Sequence, residues 1–257
     1  MNMMEMFGYI LTFMIGLSLD LIGAGGSILT IPTLLYLFNL NIKEAIPMSL
    51  IVVGISSLIA SIYHGRQEAI KIKEALVFLL SSSFGAFIGG LFSKYIPNTI
   101  QIYSFIALML FAGLAMLLGK NIQTDLIENT NKQHNLFLII FSALLIGILT
   151  GIVGIGGGFM IVPALILLLK YSSKESVRTS LLIICINSLS GFLGNASHIS
   201  LDWQFLLKII FLSSLGSVAG SYLHHSLSAQ NIQKIFAILI LCVGSFMLIK
   251  EVFRNFY

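Results

Sequence analysis

Long apolar tracts follow one another along almost the whole chain, with short polar intervals between them. Charge, glycine and proline divide them into two sets of five segments, at 6–22, 27–40, 45–63, 73–95 and 99–119, and then at 135–153, 158–170, 176–197, 204–224 and 231–250. Apolar segments of about twenty residues are typical of transmembrane helices. The pattern therefore predicts an all-α polytopic membrane protein.

Two of the boundaries are glycine clusters inside apolar sequence. Residues 151–163 read GIVGIGGGFMIVP, and residues 16–32 read GLSLDLIGAGGSILTIP. Glycine is poor in helix interiors, so each cluster predicts that one helix ends and another begins there. The segments that follow, 27–40 and 158–170, are too short for a hydrocarbon core of ~30 Å and are expected to be half-helices.

The two sets of segments match each other at a constant offset of 131 residues, as in Gly25 and Gly156. The offset also pairs Lys43 with Lys174, Ser57 with Ser188, Gly85 with Gly216 and Gly113 with Gly244. This agreement indicates an internal duplication, with a first membrane repeat at 1–119, a polar linker at 120–134 and a second membrane repeat at 135–257. An odd number of crossings per repeat gathers most of the basic residues on one side of the membrane. We therefore expect inverted-topology repeats, with both termini outside and the linker in the cytoplasm.

Composition narrows the class of protein. Of the 257 residues, 57% are hydrophobic and 9% are charged, and the mean hydropathy is +1.00. A water-soluble domain with a polar surface is excluded. The formal charge of +4 lies in short loops, where membrane topology explains it better than nucleic-acid binding does. Cys185 and Cys242 lack the spacing of a metal site or a disulfide framework, so no metal and no cofactor are expected.

The glycine clusters supply the first candidate binding groups. At a restarted helix, the first backbone N–H groups lack intrahelical partners and the helix dipole adds partial positive charge. Such an end suits an oxyanion, and two of them in corresponding repeats indicate a transport site near the bilayer midplane. The predicted substrate-binding residues there are Gly25, Gly26, Ser27, Gly156, Gly157 and Gly158. Glycines at four-residue spacing, such as Gly85 and Gly89, are interpreted as helix-packing positions instead.

The third segment of each repeat carries polar side chains on one helical face. A polar stripe inside a bilayer usually faces protein or water. The predicted substrate-binding residues on these segments are Ser49, Ser56, Ser57, Ser180, Asn187 and Ser188. For the serines, a hydrogen bond to a carbonyl of the same helix is an equally good explanation.

Asp20 is the only carboxylate well inside an apolar tract, and its counterpart in the second repeat is Gly151. An ionisable group at that depth is a functional hypothesis by default. It could carry a proton, bind a cation or pair with a basic residue. Histidine titrates near neutrality, although at a membrane interface it is often simply solvated. The residues predicted for proton coupling or gating are Asp20, His64, Asn195 and His198.

The motifs GAGGSILTIPTLL and GIGGGFMIVPALI are each followed by a polar turn and then by KEAIPMSLIVVGISSLIASIYHG or KESVRTSLLIICINSLSGFLGNASH. Over nearly the whole chain, this arrangement resembles the sulfite exporter TauE/SafE family of membrane permeases. The resemblance implies a secondary transporter of a sulfur-containing anion, such as sulfite, thiosulfate or an organosulfonate, in the bacterial cytoplasmic (inner) membrane. The first repeat departs from the family pattern more than the second, with Ser27 at the position of Gly158 and Pro47 at the position of Arg178.

Other functions stay open from the residues alone. A proton- or sodium-coupled cation carrier would use Asp20, an anion channel would use the same site as the transporter, and an intramembrane enzyme would combine His64 and His198 with a serine or with Asp20. The chain has no GK[ST] ending of a phosphate loop and no HExxH or GxSxG motif, so neither nucleotide-driven transport nor catalysis is favoured. The expected partners are a small sulfur anion and the lipid bilayer, without nucleic acid.

Overall fold

The structure, a computed structural model, describes residues 3–22, 26–65, 72–118, 135–196, 201–223 and 229–256. Within these ranges the chain forms ten helices and no strand. In chain order the helices are α1 (Met3–Ile22), α2 (Gly26–Tyr36), α3 (Ile42–Gly65), α4 (Ile72–Ser93), α5 (Asn98–Leu118), α6 (Leu136–Val153), α7 (Gly158–Leu169), α8 (Ser173–Asn195), α9 (Trp203–Leu223) and α10 (Ala229–Phe256).

Seven of the described helices, α3, α4, α5, α6, α8, α9 and α10, are long and apolar enough to cross a membrane by length and composition. The helices α2 and α7 have only 11 and 12 residues. That is about 17 Å of helix, too short for a hydrocarbon core of about 30 Å. The prediction of an all-α polytopic membrane protein is confirmed, and most helix ends lie within a few residues of their predicted positions.

Large apolar side chains remain exposed on the outer faces of the helices. Phe84, Phe111, Phe141 and Phe211 are all more than half exposed. On a water-soluble protein such a surface would drive association, whereas a bilayer solvates it. The exposed phenylalanines therefore fit a bundle that is surrounded by lipid.

The predicted helix break in the second repeat is present between α6 and α7. Gly154, Gly156 and Gly157 have φ angles of +79°, +71° and +72°. Residues with a side chain rarely adopt this left-handed conformation, because their Cβ crowds the backbone. Gly154 caps α6 by donating its N–H to the carbonyl oxygen of Thr150 at 2.9 Å. The break that the sequence predicts in the first repeat, at residues 23–25, lies outside the described residues.

Helices of one repeat pack mainly against helices of the other. The helix α4 packs against α6 and α8, and α9 packs in the same way against α1 and α3. The helix α3 also packs against α8, and α5 packs against α10. If each helix is replaced by its counterpart in the other repeat, the same pairs of helices are in contact. A pseudo-twofold axis between the repeats produces this relation.

Glycine makes the closest of these contacts. A Cβ added to Gly85 on α4 would lie 2.4 Å from the carbonyl oxygen of Leu144 on α6. A Cβ added to Gly216 on α9 would lie 2.0 Å from the carbonyl oxygen of Phe13 on α1. Any side chain at these positions would push the two backbones apart. The interpretation of these glycines as packing positions is confirmed.

Successive contacts between helices give their relative directions. The pairs α1 and α9, α3 and α9, α4 and α6, and α4 and α8 run parallel. For α1 and α9, Phe13 contacts Gly216 and Leu17 contacts Gly220; for α3 and α9, Ser56 contacts Ser213 and Tyr63 contacts Tyr222. For α4 and α6, Gly85 contacts Leu144 and Gly89 contacts Ile148; for α4 and α8, Ser82 contacts Asn187 and Gly90 contacts Gly194. In each pair the residue numbers rise together along both helices.

The pairs α3 and α8, and α5 and α10, run antiparallel. For α3 and α8, Leu50 contacts Gly191 and Gly54 contacts Ser188; for α5 and α10, Leu110 contacts Gly244 and Gly113 contacts Leu241. In each pair the residue numbers rise along one helix as they fall along the other. Because α5 follows α4 through a short turn, it runs back beside it. Thus α1, α3, α5 and α9 run in one direction, and α4, α6, α8 and α10 run in the other. We call the end of the bundle at which α5 ends and α6 begins the linker end.

Candidate functional site

The second glycine break lies against the start of α2 in the other repeat. A Cβ added to Gly156 would lie 3.5 Å from the Cβ of Ser27 and 3.2 Å from the Oγ of Ser188. Both serines are fully buried. The fold thus brings together three residues that the sequence predicts as substrate-binding, from α2, from the break itself and from α8.

Ser188 lies where α8 crosses α3, because a Cβ added to Gly54 would lie 3.4 Å from its Cβ. Ser57, the counterpart of Ser188 in the first repeat, is fully buried on α3 about one turn after Gly54. Neither hydroxyl has a hydrogen-bond partner among the described residues. An unsatisfied buried polar group is costly, so most such groups contact protein, water or a ligand. The crossing of α3 and α8 therefore holds two buried hydroxyls that no described residue satisfies.

The N-terminal end of α7 points into the same region. Gly157 precedes the helix, and no side chain caps it. A Cβ added to Gly157 would lie 2.3 Å from the Oγ1 of Thr150, so the packing leaves no space for a side chain there. The partial positive charge of the helix end is thus buried beside Gly156.

Ser49 has a structural contact with the break. Its Oγ lies 2.7 Å from the carbonyl oxygen of Gly154 and 2.6 Å from that of Ile46 on its own helix. The first contact joins α3 to the left-handed cap of α6. Ser180, its counterpart, donates a hydrogen bond to the carbonyl oxygen of Val177 at 2.8 Å, within α8. Bonding within the helix thus occurs at both positions, as the alternative interpretation of the serines expected.

Ser56 and Asn187 link helices on opposite sides of the crossing. The Oγ atoms of Ser56 and Ser213 are 2.9 Å apart, between α3 and α9. Ser82 on α4 donates to the Oδ1 of Asn187 at 3.0 Å. Ser82 and Ser213 occupy equivalent positions, so the two repeats make the same interhelical contact. The Nδ2 of Asn187 has no hydrogen-bond partner in the part of the chain that the structure describes.

Asn195 lies at the end of α8 and binds two backbone carbonyls. Its Nδ2 donates to the oxygen of Gly151 at 3.1 Å and to that of Gly191 at 2.8 Å. The first bond fixes α8 to the end of α6. Asn195 therefore makes a structural contact beside the break, and both of these hydrogen bonds of its Nδ2 atom go to backbone carbonyls.

Asp20 is fully buried in the last turn of α1. A Cβ added to Gly220 on α9 would lie 3.0 Å from the Cβ of Asp20. The carboxylate therefore belongs to the contact between α1 and α9, near the linker end of the bundle.

The other predicted site residues are described only in part. Gly26 begins α2 and Gly158 begins α7. His64 is the last residue but one of α3, and its side chain lies outside what the structure describes, as do the whole of Gly25 and His198.

The sequence analysis did not identify the serines of α9 as site residues. Ser213 contacts Ser56 directly, and Ser217 donates to the carbonyl oxygen of Ser56 at 3.3 Å. The recurrence of Ser82 and Ser213 at the offset of 131 residues is the signal that would have identified the first of them. As for metals, the described residues contain no group of three His, Cys, Asp or Glu side chains that could hold an ion.

A lipid-exposed helical bundle with a broken helix and buried polar groups at its centre belongs to the class of membrane transporters. A family model described as sulfite exporter TauE/SafE matches residues 9–247 of the chain. The chain belongs to this family.

Relatives across nearly the full length are described as transporters rather than enzymes. A "Probable membrane transporter protein" of Xylella fastidiosa (strain 9a5c) is 29% identical over 238 residues, which cover 91% of each chain. The "Probable membrane transporter protein YunE" of Bacillus subtilis (strain 168) is 26% identical over 255 residues, covering 91% of this chain and 93% of the relative. No solved structure matches the chain significantly.

Proposed function

We propose that this protein is a secondary transporter that moves a sulfur-containing anion, such as sulfite, thiosulfate or an organosulfonate, across the bacterial cytoplasmic (inner) membrane. The observation that carries the proposal is the position of Gly156 beside both Ser27 and Ser188. It places the break of one repeat against the restarted helix of the other. The description of the family and of the relatives as transporters supports the same function.

The chemistry of this site suits an oxyanion. Ser57 and Ser188 offer hydroxyl donors that have no other partner in the described part of the chain. The N-terminal end of α7 adds the partial positive charge of its backbone N–H groups. Neutral donors can replace part of the water shell of an anion without a permanent counter-charge. A substrate held in this way can also leave again, which transport requires.

We infer further that the two repeats are inverted. Each helix of the first repeat whose direction the contacts give runs opposite to its counterpart, as α3 does to α8 and α4 does to α9. Repeats of opposite direction favour alternating access, in which one repeat moves against the other around a fixed site. Together with the basic residues of the sequence, this supports a cytoplasmic linker and outward termini.

The test is a ligand screen followed by a flux measurement. The purified protein is heated in detergent with sulfite, thiosulfate, sulfoacetate, taurine, sulfate or phosphate, because a ligand that binds the native state raises its melting temperature. The proposal predicts stabilisation by a sulfur anion and saturable uptake of that anion into proteoliposomes. Stabilisation by phosphate alone, or uptake that does not saturate, would contradict it.

Two variants refine this test. Ser188→Ala removes a hydroxyl from the site, and Ser142→Ala removes one from α6 that bonds only to carbonyl oxygens of its own helix, at Leu138 and Ile139. The proposal predicts that stabilisation by the anion falls in Ser188→Ala and is retained in Ser142→Ala. Equal stabilisation of both variants would remove the crossing of α3 and α8 as the binding site.

A further inference from the structure

One face of α9 carries a column of buried serines. Ser213, Ser217 and Ser221 are 1%, 0% and 1% exposed. Residues four apart lie on the same face of a helix, so the three hydroxyls form a row about 12 Å long. We call these three residues the serine column. It begins at the middle of α9 and ends close to the linker end of the bundle.

Hydrogen bonds connect the serine column to α3. The Oγ atoms of Ser213 and Ser56 are 2.9 Å apart, and Ser217 donates to the carbonyl oxygen of Ser56 at 3.3 Å. Ser221 donates to the carbonyl oxygen of Ser217 at 3.2 Å. The column therefore reaches Ser56, which directly precedes the site residue Ser57 in the sequence.

Asp20 lies at the other end of this row. Its Cβ approaches Gly220, the residue next to Ser221, and its side chain is fully buried. Asp20 thus lies beside the last turn of α9, close to the linker end, and the serine column runs from that turn to Ser56 on α3.

The equivalent contact between α6 and α4 has no such row. On α4, the counterparts of Ser213, Ser217 and Ser221 are Ser82, Ala86 and Gly90, and the counterpart of Asp20 is Gly151. Gly151 packs so closely that an added Cβ would lie 2.1 Å from the carbonyl oxygen of Ala86. The backbone arrangement is shared by the two contacts, whereas the carboxylate occurs only on α1 of the first repeat and two of the three hydroxyls occur only on α9 of the second.

We propose that Asp20 is the proton-binding site of this protein and that the serine column links it to the anion site. The proposal rests on the proposed function, since it assigns the ion that is coupled to the anion. An ionisable side chain that is buried inside a membrane bundle is a candidate member of an ion or proton pathway. In each cycle the carboxylate takes up one proton, forming an O–H bond, and later releases that proton to the other side. No other bond changes.

A protonated Asp20 removes a negative charge from the path of the anion. A carboxylate and an anion in a medium of low dielectric constant repel each other strongly. The helices that pack against α1 carry few titratable groups at this end among the described residues. They are Tyr63 on α3, Tyr222 on α9 and the exposed Lys234 on α10, and the first turns of α2 carry none. Among these described residues, Asp20 is the one carboxylate.

The experiment uses the full-length protein in proteoliposomes, with the sulfur anion that the ligand screen selects as substrate. Exchange of labelled for unlabelled anion at equal pH measures transport alone. Uptake under a gradient of one pH unit measures coupling, and one proton per monovalent anion supports accumulation of up to about tenfold. We expect the wild-type protein to show both activities. We expect Asp20→Asn to keep the exchange and to lose the accumulation.

The matched control is Asp202→Asn. Asp202 is exposed at the start of α9 and accepts hydrogen bonds from the backbone N–H groups of Gln204 and Phe205, which the amide oxygen of asparagine can also accept. The variant removes the same charge as Asp20→Asn and is expected to accumulate the anion as the wild-type protein does. Accumulation by Asp20→Asn that equals that of Asp202→Asn would overturn the proposal.

Two further outcomes separate this proposal from the proposed function. Wild-type protein that exchanges the anion but ignores the pH gradient would overturn proton coupling and leave anion transport intact. Wild-type protein without exchange would contradict anion transport itself. If Asp20→Asn does not fold, Ser217→Ala and Ser221→Ala replace it, with Ser142→Ala as control. The proposal then predicts slower gradient-driven uptake in the first two variants alone, and equal rates in all three would overturn it.

Discussion

The crossing of α3 and α8 offers the same groups from each repeat, whereas the contacts of α1 and α6 with the other repeat differ. At the crossing, Ser57 and Ser188 are equivalent buried hydroxyls. Near the end of α1 there is Asp20, and near the end of α6 there is Gly151, whose carbonyl oxygen accepts a hydrogen bond from Asn195. The comparison teaches that duplication supplies equivalent hydroxyls at the centre, while divergence leaves a buried carboxylate on α1 that α6 lacks.

The largest expected effect is on the packing that both repeats share. A Cβ added to Gly16 would lie 1.9 Å from the carbonyl oxygen of Ser213, and one added to Gly147 would lie 2.0 Å from that of Ser82. Gly16→Val and Gly147→Val should each destabilise the fold by about 3 kcal/mol, because the backbones must separate. The fraction of monodisperse protein after size-exclusion chromatography measures this. A loss in one variant only would contradict equivalent packing of the two repeats.

The next effect concerns a glycine of the break, Gly156, rather than a glycine at a helix-packing position. Gly156→Ala puts a residue with a side chain at a φ of +71° and brings its Cβ to 2.8 Å from Val53. We expect a loss of about 1–2 kcal/mol of stability from the strained φ. Because the same methyl group enters the anion site, affinity should fall at least about tenfold. Calorimetric titration measures the affinity, and a variant that binds the anion with wild-type affinity would contradict a site at Gly156.

A smaller effect tests the symmetry of the centre. Ser57→Ala and Ser188→Ala remove hydroxyls that have no partner within the described ranges, so each should change the stability by less than about 1 kcal/mol. Each should also weaken anion binding by a similar factor, since a hydrogen bond to a charged group contributes about 1.5–3 kcal/mol. Melting curves with and without the anion check both statements. Reduced affinity in one variant only would place the anion closer to one repeat.

The smallest effect concerns the bond between α3 and the cap of α6. Ser49→Ala removes the hydrogen bond from its Oγ to the carbonyl oxygen of Gly154. The expected loss is about 1 kcal/mol of stability, with little change in affinity. The melting temperature without ligand measures it. A large loss of affinity at unchanged stability would show instead that Ser49 contacts the anion.

Hydropathy and glycine clusters were sufficient to predict most of the fold. The helix ends follow from charge, glycine and proline, and the break at Gly154 to Gly157 follows from the need for positive φ. The offset of 131 residues predicted that the repeats would be equivalent, and the packing of α4 and α9 is equivalent.

Side-chain neighbours were harder to predict. The seven-residue spacing of Ser49 and Ser56 correctly puts them on one face of a helix. It does not reveal that Ser49 meets the break while Ser56 meets α9, because spacing along one helix contains no information about which helix lies opposite. The burial of Asp20 followed from its apolar tract, whereas its contact with Gly220 depends on how α1 packs against α9.

The most direct test of the central claim measures whether the break at Gly156 meets the start of α2 in the other repeat. In a protein with Cys185→Ala and Cys242→Ala, the pair Ser27→Cys and Gly156→Cys would have Cβ atoms about 3.5 Å apart, a separation that a disulfide can bridge. The pair Ser56→Cys and Ser213→Cys, whose native Oγ atoms are 2.9 Å apart, is the positive control for access of the oxidant. We predict that both pairs cross-link and that the bound anion slows only the first. Cross-linking of the control pair alone would contradict the account.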